Sequence, residues 1–529
     1  MTFTMRNLYS AAMVLSASLA LMATSAAATD LVFGRSTPQT VLDPQFTVQP
    51  TGTAINDMIF DRLVNFGKDL QPVPALALSW KLLDPLTWQL KLRGGVKFHD
   101  GSAFTAKDVA FSFKRSGSMP SSPSPTTQQV ADIDKLEIVD DLTLNVKTKA
   151  PAPLLMDQIG QVFIVPAALG DRVTTADFNS GKAMIGTGPY TFVSWVPNEQ
   201  VVAKANPSYW GGKPEFGNVK MRFITEPSAR VSALLTGAVD VIDAVPPTDV
   251  VRLKGQPGVN VYSIPSVRLL YLTLDLFNDN APQITDTNGK PLDKNPLKDA
   301  RVRQAMSLMI DRKAITDRIF GGLAAPAGQV AVEGQGGYSP DMKAAAPDVA
   351  KAKLLLTEAG YPNGFGLTVA CSTDRDVNSP EAAQAVAQMF ARGGLKVNGV
   401  DCQPYSIFSN NATKGKYSVF FWGRSDSSPD TALNLRNGYM TYDEKASYGA
   451  FNRGRYSSPK FDALVKQALQ EFDQTKRYNL LKQATDVLIG QDMGAIPLYF
   501  LNSIWAARKG YSYEPVMSSN TEIRWVHAN

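Results

Sequence analysis

Three consecutive segments between Phe365 and Tyr405 set the fold class: "FGLTVACST" (365–373), "SPEAAQAVAQMFARGG" (379–394) and "LKVNGVDCQPY" (395–405). The first and last read as strands. The middle one reads as a helix, with Ser379 as its N-cap, Pro380 in its first turn and a Gly-Gly stop. A strand, a helix and a strand joined by short connections form a right-handed crossover, so the two strands are predicted to be parallel near neighbours. Both carry a cysteine towards their C-terminal ends, Cys371 and Cys402, the only two in the chain. In an oxidising compartment a lone pair is more often a disulfide than a metal site. Neighbouring strand ends satisfy the bond's need for Cα atoms within about 7 Å.

The same alternation continues on both sides. Before it, "AKAKLLLTEAG" is a helix closed by Gly360, and "NPLKDARVRQAMSLMIDRKAITDRIFGG" is a long helix or helix pair. Its Val302, Met306, Met309 and Ile310 recur at helical spacing, a stripe that belongs to a core. Further upstream, "GTGPYTFVSW" enters a strand and "EQVVAKANPSYWGGKPEFGNVKMRFI" gives two more. "SARVSALLTG" is an amphipathic helix with Val231, Leu234 and Leu235 inward, stopped by Gly237, and "AVDVIDAVP" is a buried strand. Downstream, two helices ("SPKFDALVKQALQEF", "TKRYNLLKQATDVLIGQ") precede a final strand, "GAIPLYF". The class is α/β.

One of only two histidines, His99, lies in "LKLRGGVKFHDG" (90–101). Trp88, Leu90 and Leu92 alternate with polar residues, Arg93-Gly94-Gly95 turns, and Val96 and Phe98 resume the apolar face, so the stretch reads as a β-hairpin. His99 then sits at a second turn, before a helix opened by the capping-box pair Thr105 and Asp108. Glycines that join two strands do not make a phosphate loop, which needs a following helix N-terminus. Adjacent His and Asp on an extended chain point apart, which makes a poor catalytic dyad.

The rest of the chemistry is a list of exclusions. The only histidines, His99 and His527, lie too far apart for a His-x-x-x-His zinc site, and there is no Gly-x-Ser-x-Gly elbow, dinucleotide fingerprint or Walker sequence. No catalytic constellation, cofactor site or metal site emerges. In 529 residues the net charge is only +5, with lysine and arginine scattered among acids, which leaves no footprint for nucleic acid. Apolar content of 44% and charge of 19% are those of a globular protein. Arg6, an apolar run from Leu8 to Met22 and "ATSAAATD" read as a cleavable signal peptide over 1–28, cut after Ala28, so an exported protein of the periplasm is expected.

Seven stretches resemble the extracellular solute-binding proteins of the oligopeptide, dipeptide and nickel ABC importers. They are "FDRLVNFGKDLQPVPALALSWKL", "WQLKLRGGVKFHDGSAFTAKDVAFSFKR", "GTGPYTFVSW", "NPSYWGGKP", "LLTGAVDVID", "DARVRQAMSLMIDRKAI" and "AKLLLTEAGYPNGFGLTV", in family order. The resemblance implies a two-lobed periplasmic binding protein fold of the hinge-closing type II, with an extra smaller domain on lobe I. Its map would be 29–71, 185–265 and 497–529 for lobe I, 72–184 for the extra domain and 266–496 for lobe II. A small solute would be enclosed as the lobes close, and the closed monomer would dock on the membrane subunits of an ABC permease.

The resemblance also points to the site. Peptide-binding members carry Trp followed by an acid that pairs with the peptide amine. Here Trp422 is followed by Gly423, Arg424, Ser425 and Asp426, so the acid's place falls on Ser425 and Asp426 is displaced by one. The carboxylate-binding arginine falls near "STDRDVNSP", where a gapless match gives Asp376 and Arg375 stands one earlier. These departures argue against a plain α-peptide and for a polar small solute such as a dipeptide-like conjugate or an opine. A nickel chelate, a sugar or oligosaccharide, or an exported hydrolase are the alternatives. Trp422 is either core packing or a flat wall against the ligand. Arg375, Arg424 and Asp426 are either solvated charges or ligand partners, and Phe46 and Thr51 are cleft candidates from an early loop.

Overall fold

The computed structural model describes residues 29–47, 50–119, 126–425, 427–518 and 521–529, with side chains from Ala54 onward in the helix Pro50–Ile59. The expected signal segment and Asp426 lie outside the described residues, as does the side chain of Thr51.

Ten strands form one long mixed sheet: β1 (Leu31–Arg35), β2 (Tyr190–Val196), β3 (Gln200–Ala205), β4 (Asn218–Phe223), β5 (Val241–Ile242), β6 (Val259–Leu274), β7 (Gly366–Ser372), β8 (Lys396–Gln403), β9 (Val419–Ser425) and β10 (Ile496–Arg508). Their order is β8-β7-β9-β6-β10-β5-β1-β4-β3-β2, and a short strand, Ala324–Pro326, joins β10. As the crossover pattern requires, β7 and β8 are parallel neighbours, and the helix between them spans Ser379–Arg392. The helix starts one residue earlier than expected: Asn378, at φ 54°, is the cap, and Ser379 is already helical. Ala382, Val386 and Phe390 of that helix are buried with Leu367 and Val369 on one face of β7, while Ala370 on the other face joins a second core, so β7 is buried on both sides. Cys371 and Cys402 stand opposite each other, 4.4 Å apart at Cα, and are joined as a disulfide.

Two long strands tie the halves of the sheet together. Val259–Pro265 of β6 pairs with Asn502–Arg508 of β10, and Leu269–Leu272 pairs with Ile496–Phe500, with an irregular stretch between. Pro497–Leu501 pairs with β6 and with the short strand Ala324–Pro326. Separate cores serve the two halves: Leu31, Phe33, Val219 and Trp505 in one, and Leu270, Leu272, Val302 and Met306 in the other.

A four-stranded antiparallel sheet stands apart, built from Ala77–Asp84, Thr87–Leu92, Thr143–Thr148 and Ile133–Asp140 in that order. The hairpin read at Leu90–Phe98 does not form. Thr87–Leu92 pairs with Ala77–Asp84 and Thr143–Thr148, while Lys97 only bridges Ala103. The glycine turn is real, but the partners that complete the strand are distant in sequence. The Thr105–Asp108 capping box is present. In the helix Pro227–Leu235, Val231 and Leu234 are buried but Leu235 is exposed, one position past the inward face.

Candidate functional site

The halves meet around a cavity of about 190 Å³ where β6 and β10 pass between them. Its two walls are each built around a buried Arg–Asp pair. On the first half, Arg35 at the end of β1 pairs with Asp243 just after β5 (3.1 Å), and the Ser36 N–H donates to the same carboxylate (2.7 Å). On the second half, Arg268 in the irregular stretch of β6 donates to Asp376 (2.7 Å) and reaches the Ser425 hydroxyl at 3.4 Å. Gly423 makes room for Arg268, since a Cβ there would lie 2.5 Å from its Nη2.

Arg375 also lines this cavity. Its guanidinium lies 5.1 Å from the centroid of the Tyr405 ring, and it has no ion pair within the described residues. Burial, and next the Arg268 charge, hold it below the usual arginine value. Among the described residues lining the cavity, Arg35, Arg268 and Arg375 face Asp243 and Asp376, a surplus of one positive charge that an enclosed carboxylate would satisfy. The volume is below the roughly 300–1,000 Å³ of whole-ligand pockets, so it suits one acidic end of a solute.

Side chains alternate along β9, and this separates the other candidates. Ser425 lines the cavity, whereas Arg424 shares a face with Trp422 and donates to Asn434 Oδ1 (2.8 Å). Trp422 is 7% exposed. Phe408 stacks on it with centroids 5.7 Å apart, and the Arg453 guanidinium lies 4.1 Å from its ring centroid. Protein groups thus pack on the Trp422 ring, which also borders a small cavity with Arg268, Arg375 and Tyr405. Phe46 sits half-buried in a turn, its N–H donating to Asp43 O (3.2 Å), and does not line the cavity.

Sequence reasoning missed Arg268 and Arg453. A signal for the first was available, because Arg268 is the lone cation in the apolar run Val267–Leu274. Asp376, placed where an arginine was expected, serves as the partner of Arg268. Among the described residues no group of three or more His, Cys, Asp or Glu could hold a metal ion, and no helix is long and apolar enough to cross a membrane.

Residues 71–445 match the model of the bacterial extracellular solute-binding proteins, family 5, middle region. The chain belongs to this family. Glutathione-binding protein GsiB of Pectobacterium atrosepticum is 29% identical over 471 residues, 87% of this chain and 86% of that protein. The fold matches DppA of Helicobacter pylori, solved with the peptide STSA, at a TM-score of 0.81 and 24% identity, covering 94% of this chain and 98% of that one. It also matches AgaA of A. tumefaciens R10, solved with agropinic acid, at 0.78 and 24%, covering 94% and 99%. The α/β sheet with its two crossing strands is therefore the two-lobed periplasmic binding protein fold.

Proposed function

We propose that this family 5 protein is the periplasmic receptor of an ABC importer and captures a small peptide-like or opine-type solute that bears a carboxylate. The observation that carries the reading is the positive surplus at Arg375 in a cavity otherwise lined by paired charges. A neutral sugar would call for aromatic platforms and amides rather than a guanidinium. The relatives named for glutathione, a peptide and agropinic acid agree with this solute class. Residues 1–28 would direct export and be removed, and the monomer would deliver its solute to the permease unchanged.

Thermal-shift screening of the purified protein against glutathione, dipeptides, opines, sugars and nickel chelates tests the proposal. A carboxylate-bearing peptide or opine at 100 times its dissociation constant is expected to add about 2.7 kcal/mol of stability. Arg375→Ala should then weaken binding by roughly 2–5 kcal/mol, because the solute's charge would be left enclosed and unpaired. Stabilisation by sugars alone, or recovery of a chemically altered solute in proportion to protein, would overturn the reading.

A further inference from the structure

On the other face of β9, a second cationic group stands beside the first. Arg453 lies in the loop after the helix Ala432–Gly438 and is held firmly in place. The Asn452 amide donates to Met440 O (2.9 Å) and Tyr456 O (2.7 Å). Gly454 packs so closely on β6 that a Cβ would lie 2.3 Å from Leu274 O. The Arg453 guanidinium lies 4.1 Å from the Trp422 ring centroid and 5.9 Å from that of Phe451, while Arg424 lies 5.1 Å from the same Phe451 ring. Two guanidinium groups thus converge on one phenyl ring.

Neither has an ion pair within the described residues. Arg424 donates to a neutral amide, Arg453 Nε donates to the Thr413 hydroxyl (3.3 Å), and Arg453 Nη1 is buried with no hydrogen-bond partner among the described residues. A buried guanidinium nitrogen left unsatisfied beside a like charge is unfavourable unless an anion arrives. The two cationic places are linked by aromatic neighbours. Arg375 lies over Tyr405, Arg453 lies over Trp422, and those ring centroids are 6.3 Å apart. Arg375, Tyr405 and Trp422 also line one small cavity.

We propose that Arg424 and Arg453 form a second anion subsite, so that the solute on which the protein closes carries two acidic groups, one at Arg375 and one at this pair. The inference rests on the peptide-like reading above and narrows it to dianionic conjugates. Arg453 then sets specificity by rejecting solutes whose second acid is masked, since its buried nitrogen would stay unpaired.

The test is calorimetric titration of the full chain with glutathione and an opine of the N-(1-carboxyethyl) amino acid type, each also with either carboxylate capped as an amide. The parent is expected to bind the better dianion about 10–100-fold more tightly than the monoamide that lacks the second acid. Arg453→Met should lower dianion affinity to the monoamide's level and leave that monoamide unchanged. Should Arg453→Met melt well below the parent, Arg453→Lys, which keeps the charge and loses the fork, is expected to retain part of the preference. Equal binding of dianions and monoamides by the parent overturns this inference alone, as does an equal loss for both in either variant. No binding of any carboxylate-bearing peptide or opine by the parent overturns the inference together with the reading it rests on.

Discussion

Each half of the main sheet brings a buried arginine–aspartate pair to the cleft, yet the two walls differ in how completely they are satisfied. At the first wall, Asp243 takes both Arg35 and the Ser36 N–H, and the two side chains are only 6% and 8% exposed. At the second, the Arg268–Asp376 pair has a long third contact to Ser425 and stands beside Arg375, which has no ion pair among the described residues. A wall whose charges are all answered from within can be rigid but has little to offer a charged guest. A wall with a spare guanidinium can discriminate, because the missing partner must come from the solute.

The largest expected effect comes from breaking the finished wall. Asp243→Ala leaves Arg35 buried without its partner and should cost about 3–5 kcal/mol of stability, with or without solute. Asp376→Ala exposes the same chemistry at the open wall, where a bound carboxylate can stand in for the lost aspartate, so saturating solute should restore part of its melting temperature. Denaturant unfolding of both variants with and without solute checks this. Equal losses and no solute-dependent recovery would erase the distinction between the walls.

How much of this was legible in the sequence depended on the range of the interactions. The crossover Phe365–Tyr405 could be read because β7, its helix and β8 are contiguous, and each element's periodicity and caps are local. The capping box at Thr105 and Asp108 is local too. The hairpin at Leu90–Phe98 was misread because the partners of Thr87–Leu92 include a strand more than fifty residues away, at Thr143–Thr148, which alternation cannot name. The cleft was half legible. Arg375, Arg424 and Ser425 followed from position, but which face each takes depends on the register of β9 against β6, where a single step reverses the side. Arg268 and Arg453 were hidden because their roles come from what lies opposite them, Asp376 and Trp422, far along the chain.

A second prediction sharpens the contrast at the open wall. Its edge is stapled by Cys371–Cys402, and Arg375 follows four residues after the first cysteine, just past the end of β7. In the chain-entropy model, a bond closing a separation of 31 residues contributes about 3–4 kcal/mol. Replacing both cysteines by serine should therefore lower stability by nearly as much as Asp243→Ala. It should also weaken solute binding, because the Arg375 turn loses its anchor, whereas Asp243→Ala acts through the opposite wall. Loss of stability with unchanged solute affinity would show that the staple serves the fold alone.

The smallest effect belongs to a seam that uses no charge at all. His99 joins the four-stranded sheet to the first half through backbone groups: the Gly186 N–H donates to Nδ1 (3.3 Å), which leaves Nε2–H to donate to Gly188 O (3.0 Å). That arrangement needs the neutral ring, because a protonated Nδ1 could not accept. Burial, the main cause, pulls the His99 pKa below its ordinary 6.5, and the nearby Asp100 charge only partly opposes it. The folded protein therefore binds fewer protons at this site than the unfolded chain. The seam's contribution is fully present above about pH 6.5 and is lost as the pH falls through the folded value. His99→Gln, which keeps a donor for Gly188 O and does not titrate, should be less stable than the parent at pH 8 and should draw level as the solution is acidified to pH 5. Urea unfolding across that range gives the difference curve. If parent and variant keep a constant gap from pH 8 to 5, the imidazole is not held neutral and the seam does not depend on its charge state.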